Sequence, residues 1–252
     1  MTVRKISALG LGLLIAAVPA FAAITPGVPN GGEPPLYQIY NDIYGTNFTG
    51  NDDVNFLNLQ TGWETITLDP DVESITFDTL WRQAYLEDEI GYYTSSNAKM
   101  VNMTPVLGPY TNTDPNQGQG AVVEDPTTIS AAGLGTIGFY DHASLPGQPN
   151  TYFNWFSESS LNDGQWQTSP GEVHVLILMT DDPNTYLLCF EDLPYTYMVD
   201  ENAKQTDIGD QDYQDVLVQI SLNHTVVPEP SSLVLLGLGL AAVTYRRIRS
   251  RA

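Results

Sequence analysis

The stretch DVLVQISL, residues 215–222, alternates apolar and polar side chains with a period of two. Successive side chains of a β-strand point to opposite faces of the sheet. One face of this stretch is entirely apolar, and the other carries Leu217 among polar residues. The pattern predicts a strand with one face in the core and the other face toward water. The apolar face consists of Val216, Val218, Ile220 and Leu222.

Similar short runs recur from residue 90 onward, separated by turns rich in glycine and proline. Their β-branched and aromatic residues favour strands. A spacing of about ten residues between runs is typical of sandwiches and jelly rolls. We therefore predict a mainly β chain that forms an antiparallel β-sandwich or jelly-roll-like single domain. The runs are GYYTS, MVNMTPVL, AVVED, TIGFYD, TYFNWFSES, VHVLILMT, NTYLLCFED and DVLVQISL.

Short helices are predicted ahead of the β-rich part. Residues 36–44, LYQIYNDIY, place apolar side chains at helical spacing, and Gly45 follows as a stop signal. A second brief helix is predicted shortly afterwards, capped by Asn51 or Asp52. Residues 76–89 mix the two periods, so we predict a strand that passes into a helix in the second half of this segment.

The N-terminus has the layout of a secretory signal peptide. Arg4 and Lys5 precede an apolar segment, residues 6–18, and Ala20 and Ala22 form a small-x-small cleavage pattern. We predict export through the secretion machinery and cleavage by signal peptidase after Ala22. Terminal helices are thus expected only in the signal and in the C-terminal segment.

The C-terminus combines a short apolar segment with a basic tail. Residues 233–245 carry no charge, and as a helix they would extend about 20 Å at 1.5 Å per residue. A hydrocarbon core is about 30 Å thick, so the segment predicts a thin and transient inner-membrane span. Clustered arginines stay on the cytoplasmic side and stop transfer. The arginines are Arg246, Arg247, Arg249 and Arg251.

These C-terminal features resemble the PEP-CTERM sorting signal of exported bacterial proteins. Pro228, Glu229 and Pro230 match the tripeptide of that family, and the apolar segment and the YRRIRSR tail follow in the same order. The resemblance implies recognition and processing by an exosortase, a membrane transpeptidase, in a Gram-negative bacterium that exports polysaccharide. It also implies a final location at the cell surface or in the extracellular matrix, among exopolysaccharide.

The predicted mature body, residues 23–227, is strongly acidic. It contains 29 acidic residues but only three basic ones, Arg82, Lys99 and Lys204, which gives a formal charge of −26. Nucleic acid is excluded as a partner because its phosphates require cationic side chains. Cys189 is the only cysteine, so the chain has no intrachain disulfide, and its apolar neighbours predict a buried thiol. Salt, a bound cation or a wide spacing of the surface charges would offset the self-repulsion of such a body.

Acidic residues concentrate around two predicted strand ends between residues 190 and 216. If these strands pair, their carboxylates come together, and Tyr213 is expected to point inward and brace the loop. Calcium binds six to eight oxygens, chiefly from carboxylates, carbonyls and water. The cluster therefore predicts a calcium site, and the alternative is a solvated turn built on ordinary aspartate chemistry. The candidate ligands are Glu191, Asp192, Asp207, Asp210, Asp212 and Asp215.

A second resemblance covers approximately residues 132–222. The motifs G-F-Y at Gly138, S-x-L-N-D-G at residues 159–164 and H-V-L at His174, followed by F-E-D-L and D-x-D-Y-x-D, resemble a secreted bacterial domain of uncharacterised function. Gln214 stands where that family tends to have asparagine. The resemblance implies a β-rich, calcium-associated module and no known catalysis.

No catalytic motif is visible in the sequence. The histidines are scattered, and neither a zinc-protease motif nor a serine nucleophile elbow occurs. His174 is interpreted as a polar strand position. We predict a protein that is not an enzyme, and the alternative is a secreted glycoside hydrolase or a lectin-like carbohydrate-binding module. Four tryptophans are candidate sugar platforms or core residues: Trp63, Trp81, Trp155 and Trp166.

The sequence thus divides into five segments. These are a signal peptide (1–22), a linker (23–35), an N-terminal helical and β part of the globular domain (36–131), a β-sandwich part with the acidic loop (132–225), and the sorting segment (226–252).

Overall fold

The computed structural model describes most of the predicted mature body. The described residues are 23–27, 29, 33–84, 86–94, 102–110, 120–121, 125–145, 148–162, 172–193, 198–199, 205–206 and 211–225. The predicted signal peptide and sorting segment lie outside this set, as do the ligand candidates Asp207 and Asp210. Among the residues that the structure describes, no helix combines the length and the apolar character needed to cross a membrane.

Two short helices precede the sheets, as the sequence predicts. Helix α1 (Leu36–Tyr44) ends at Gly45, whose left-handed φ of 68° places its N–H on the carbonyl oxygen of Asn41. Helix α2 (Val54–Leu57) begins after Asp53, whose carboxylate accepts a hydrogen bond from the Asn55 N–H. The cap is therefore Asp53 and not Asn51 or Asp52. A single 3-10 turn, Ser159–Leu161, lies between two later strands.

The remaining elements are strands, and the prediction of a mainly β fold with antiparallel sheets is confirmed. They are β1 (Ile66–Thr67), β2 (Val72–Arg82), β3 (Glu87–Thr94), β4 (Asn102–Leu107), β5 (Gly120–Ala121), β6 (Thr127–Ser130), β7 (Thr136–Leu145), β8 (Gln148–Phe156), β9 (Val175–Met179), β10 (Thr185–Phe190), β11 (Met198–Val199), β12 (Gln205–Thr206) and β13 (Val216–His224).

The strands form two main sheets that face each other as a β-sandwich. The six-stranded sheet runs β5-β2-β13-β10-β9, with β6 also pairing β2, and the five-stranded sheet runs β1-β7-β3-β4, with β8 also pairing β7. A small ribbon pairs β11 with β12. Every described strand pair is antiparallel. Both main sheets pair strands that are not adjacent in sequence, as β2 pairs with β13 and β3 pairs with β7.

The largest apolar cluster lies between the two sheets. Val218 of β13 packs there with Phe77 of β2 and Phe139 of β7, and each of these side chains is fully buried. Burial of apolar surface contributes about 25 cal/mol per Å², so this contact between the sheets stabilises the fold. The apolar face of the stretch 215–222 thus lies in the core as predicted.

The opposite face of the same strand does not face water throughout, which corrects the prediction. Leu217 is fully buried because α1 and α2 cover that face of the six-stranded sheet. Leu36 and Phe56 of the two helices pack in the same cluster as Leu217. The fold therefore has three layers: helices, six-stranded sheet and five-stranded sheet.

The prediction of a helix within residues 76–89 is also wrong. This segment contains the end of β2 and the start of β3, two strands that belong to different sheets. Strand β2 finds a long ladder partner in β13, and β3 finds one in β7. Pairing with distant strands therefore determines the secondary structure of this segment, whose local periodicity is ambiguous.

The predicted linker packs against the domain where the structure describes it. The side chain of Gln60 bonds both the N–H and the carbonyl oxygen of Ile24, and the Gly27 N–H donates to the Gln211 carbonyl at 2.7 Å. These bonds place the N-terminal arm beside the segment that leads into β13.

Candidate metal centre

One end of the six-stranded sheet collects acidic residues because of its strand register. Phe190 of β10 pairs with Val216 of β13, and Val216 pairs with Arg82 at the end of β2. Glu191 and Asp192 directly follow β10, and Asp215 directly precedes β13. Antiparallel pairing therefore brings these carboxylates to the same edge, as the sequence predicts for paired strands.

Glu191, Asp192 and Asp215 form a compact group, which we call the outer cluster. One carboxylate oxygen from each residue lies within 4.8 Å of the other two. Glu191 and Asp192 are 1% and 0% exposed, and Asp215 is partly buried. An oxygen of Asp215 accepts a hydrogen bond from the Asp192 N–H at 2.8 Å, which fixes the two residues relative to each other.

Crowding changes the acidity of the outer cluster. Burial raises the pKa of Asp215 well above its usual range, and the charges of Asp192, Glu191 and Asp212 raise it further. Carboxylates held this close favour either protonation or a bound cation. Because all the ligand atoms of this group are carboxylate oxygens, the group suits a hard cation such as calcium rather than a thiolate-seeking metal.

Asp212, another predicted ligand, lies nearby but is engaged by its own turn. Its two carboxylate oxygens accept hydrogen bonds from the N–H and the side-chain amide of Gln214, at 3.1 and 2.9 Å. The same amide nitrogen of Gln214 also donates to Glu33 at 2.8 Å. Asp212 therefore contributes charge to the outer cluster, while its carboxylate shapes the turn.

Tyr213 is buried and braces this turn, as predicted. Its side chain is 1% exposed, and its hydroxyl donates to the Val173 carbonyl at 2.9 Å. Tyr213 and Gln211 both adopt positive φ angles, of 59° and 60°. Non-glycine residues in this region store backbone strain, which is found preferentially at functional sites.

A second acidic group, which the sequence analysis missed, lies deeper in the sandwich. Asp88 of β3 and Asp141 of β7 are both fully buried between the sheets, and Arg82 is 5% exposed. The guanidinium of Arg82 contacts an oxygen of Asp88 at 3.2 Å and donates to the Leu86 carbonyl at 2.7 Å. We call Asp88 and Asp141 the inner pair.

A sequence signal for the inner pair existed. In TIGFYDHASL, period-two spacing puts Asp141 on the same face as Ile137 and Phe139, which are core residues. An acid at an inward position of a strand is unusual, because buried carboxylates require partners. The acids at the strand ends give the stronger sequence signal because they are clustered in one segment of the chain.

Asp192 connects the outer cluster with the inner pair. Its charge contributes to the raised pKa of Asp88, of Asp141 and of Asp215, in each case after the larger effect of burial. One oxygen of Asp192 accepts a hydrogen bond from the Leu86 N–H at 3.1 Å, and its carbonyl accepts one from the Trp155 indole at 2.8 Å. Asp192 is thus held from several sides.

Trp155 and His174 form an aromatic wall beside these acids. The two rings stack with centroids 3.7 Å apart and planes inclined by 6°. Both side chains are fully buried, and burial lowers the pKa of His174. Cys189 is also buried as predicted, and burial raises the pKa of its thiol well above the usual value, which does not suit a nucleophile.

A separate cleft carries the exposed tryptophan. Trp63 is 46% exposed, and its ring lies 5.9 Å from that of Tyr186. The cleft beside them measures about 430 Å³ and is also lined by Asp69, Asn184 and His224. Of the other candidate platforms, Trp155 is buried in the core and Trp166 lies outside the described residues.

Comparison with known proteins identifies the C-terminus. Residues 226–250 match the family of the PEP-CTERM protein-sorting motif, which includes the Pro-Glu-Pro tripeptide and three of the four tail arginines. No curated protein and no solved structure is significantly similar to the chain. The sorting motif and the two-sheet fold are therefore the firm starting points for function.

Proposed function

Since the chain carries a PEP-CTERM sorting motif and is an exosortase-targeted, secreted surface protein, we propose that it is a non-enzymatic, calcium-stabilised component of the cell surface or extracellular matrix. The proposal rests on one observation above the others. Three carboxylates from two strand ends converge to within 4.8 Å in a body that contains few basic residues.

Calcium is the cation that best suits this group. The three carboxylates supply up to six oxygens, and calcium takes six to eight at about 2.3–2.6 Å. Asp212 adds a further negative charge nearby without contributing its hydrogen-bonded oxygens. Extracellular modules bind calcium with dissociation constants of about 0.1–1 mM, so a site of moderate affinity is sufficient outside the cell.

The bound ion would act as a clip across the sheet edge. It would tie the end of β10 to the start of β13, and it would neutralise charges that otherwise repel each other. In a domain without disulfides, such a clip stabilises the fold by binding only the folded state. Calcium would also bridge the acidic surface to anionic exopolysaccharide.

Terbium luminescence tests the outer cluster directly, because Tb³⁺ takes calcium sites and is excited through nearby indoles. Trp155 donates a hydrogen bond to the Asp192 carbonyl, so a bound ion at the outer cluster lies close to this ring. We expect saturable, tryptophan-sensitised emission that excess calcium displaces. Asp215→Asn should weaken binding at least tenfold.

Asp181→Asn is the matched control, because Asp181 is an exposed acid in the loop between β9 and β10. This variant should bind terbium like the unmodified chain. Equal terbium affinity in Asp215→Asn and Asp181→Asn would contradict the assignment of the outer cluster as a calcium site.

A second candidate function, glycan binding, is favoured by the Trp63–Tyr186 cleft. Exposed aromatic rings stack on the apolar faces of sugars, and the polar groups of Asp69 and Asn184 line the same cleft. Its volume falls within the usual range of about 300–1,000 Å³ for ligand sites. This cleft would give a surface protein a direct contact with exopolysaccharide.

Binding to a panel of immobilised glycans tests this function. We expect saturable binding that Trp63→Ala weakens at least tenfold, or about 1.4 kcal/mol. Tyr152→Ala is the control, because Tyr152 is similarly exposed at 45% but belongs to the five-stranded sheet. An equal loss of glycan affinity in both variants would contradict the assignment of the cleft as the glycan site. Release of new reducing ends from the glycans would favour the glycoside hydrolase alternative.

A further inference from the structure

We propose that Asp88 and Asp141, completed by Asp192, hold a second divalent cation of the calcium type inside the sandwich. This inner site is built on a different pair of acids from the outer cluster, and the two sites share Asp192. It would give the domain an ion-filled core at one end, in place of an entirely apolar one.

Asp141 provides the first observation. Its side chain is fully buried on the inner face of β7, and neither carboxylate oxygen has a hydrogen-bond partner among the described residues. Buried polar groups in folded proteins are nearly always satisfied by protein, water or an ion. A carboxylate whose two oxygens both lack a partner therefore points to a ligand at this position.

Asp88 provides the second observation, from the neighbouring strand. In the β3–β7 ladder, Asp88 pairs with Ala143 while Ile90 pairs with Asp141. The two acids are therefore diagonal neighbours on one face, which is within reach for side chains of this kind. One oxygen of Asp88 contacts Arg82, and the other has no partner among the described residues.

The charge balance favours a divalent ion. With all groups ionised, the acids Asp88, Asp141 and Asp192 face Arg82, which leaves two negative charges in the core. Arg82 is the only lysine or arginine in the part of the chain that the structure describes. Protonation of Asp141 would remove its charge, but its carbonyl oxygen would still lack a donor.

The surroundings of the inner pair suit a tightly held ion. Leu86, Ala143, Phe153 and Trp155 form a small buried apolar cluster at this end of the sandwich. Low local polarity strengthens the attraction between an ion and its carboxylates. Because the donors are oxygens only, calcium fits better than zinc or copper.

Native mass spectrometry of the mature chain, titrated with calcium alone, tests the inner site by counting ions. We expect two ions per chain in the unmodified protein. Asp141→Asn should retain one, and Asp215→Asn should also retain one. The control Asp181→Asn should retain both.

The pattern of losses separates this inference from the proposed function. A single ion that Asp215→Asn removes and Asp141→Asn keeps would overturn the inner site and leave the outer cluster intact. A single ion that only Asp141→Asn removes would support the inner site and overturn the outer cluster. Two ions that both survive in Asp141→Asn would also overturn the inner site.

Melting of the same variants controls for misfolding. Asp141→Asn removes a buried charge without changing side-chain size, so in chelator its melting temperature should equal or exceed that of the unmodified chain. Adding calcium should raise the melting temperature of Asp141→Asn by less than it raises that of the unmodified chain. If Asp141→Asn does not fold, Asp88→Asn replaces it in the ion count. A single ion that Asp88→Asn keeps, or an unmodified chain that binds no ion, overturns the inner site.

Discussion

Replacing Arg82 with methionine is expected to lower the free energy of unfolding by about 3–5 kcal/mol, the usual cost of removing one partner from a buried ion pair. Arg82 is 5% exposed and contacts Asp88 at 3.2 Å. Its guanidinium also donates to the carbonyls of Leu86 and Tyr110. Methionine preserves much of the side-chain volume, so the decrease in the free energy of unfolding would come from the lost charge and the lost hydrogen bonds. Urea denaturation of both proteins measures the difference.

Arg82→Lys is the matched control because it keeps the charge and loses the planar fork of donors. We expect an intermediate loss of stability. A decrease of less than about 1 kcal/mol for Arg82→Met would place the pair among weak surface ion pairs. That result would contradict the account of Arg82 as the cation that holds the acidic core together.

Removing calcium is expected to have an effect of similar size. A ligand present at 100 to 1,000 times its dissociation constant stabilises the folded state by about 2.7–4.1 kcal/mol. For a domain of this length, each kcal/mol shifts the melting temperature by about 2–4 °C. We therefore expect the mature chain to melt roughly 10 °C lower in excess chelator than in saturating calcium, as measured by circular dichroism.

The pH dependence of the chelated protein provides an independent control. The pKa values of Asp88, Asp141 and Asp215 are raised in the folded state, so the folded chain binds more protons than the unfolded chain. Without calcium, stability should therefore increase as the pH falls from the raised values toward the ordinary aspartate value of about 3.9. With calcium, acid should displace the ion and lower stability over the same range. Melting curves that are identical in calcium and chelator at every pH would contradict the account.

The fold was largely predictable because the strand pattern is local. Alternation in residues 215–222 placed Val218 in the core correctly, and turn residues separated the strands. The sequence predicts the wrong environment for Leu217 because the helices that cover it come from residues about 160–180 positions earlier. A single strand cannot report what packs on its second face.

The sequence predicts the part of the candidate site whose residues flank two strands that pair directly with each other. Glu191 and Asp192 could be associated with Asp215 because they flank strands that pair directly. Asp88 and Asp141 are far apart in sequence. Predicting the inner pair therefore requires knowing that β3 and β7 are adjacent and which residues pair between them. Such long-range pairing leaves no local signature beyond an acid at an inward strand position.

Calorimetric titration of the mature, exported chain with calcium tests the central claim most directly. The account predicts a saturable heat for at least one ion per chain, reduced in Asp215→Asn and in Asp141→Asn and unchanged in Asp181→Asn. A titration without binding heat, together with a melting temperature that chelator leaves unchanged, would contradict it.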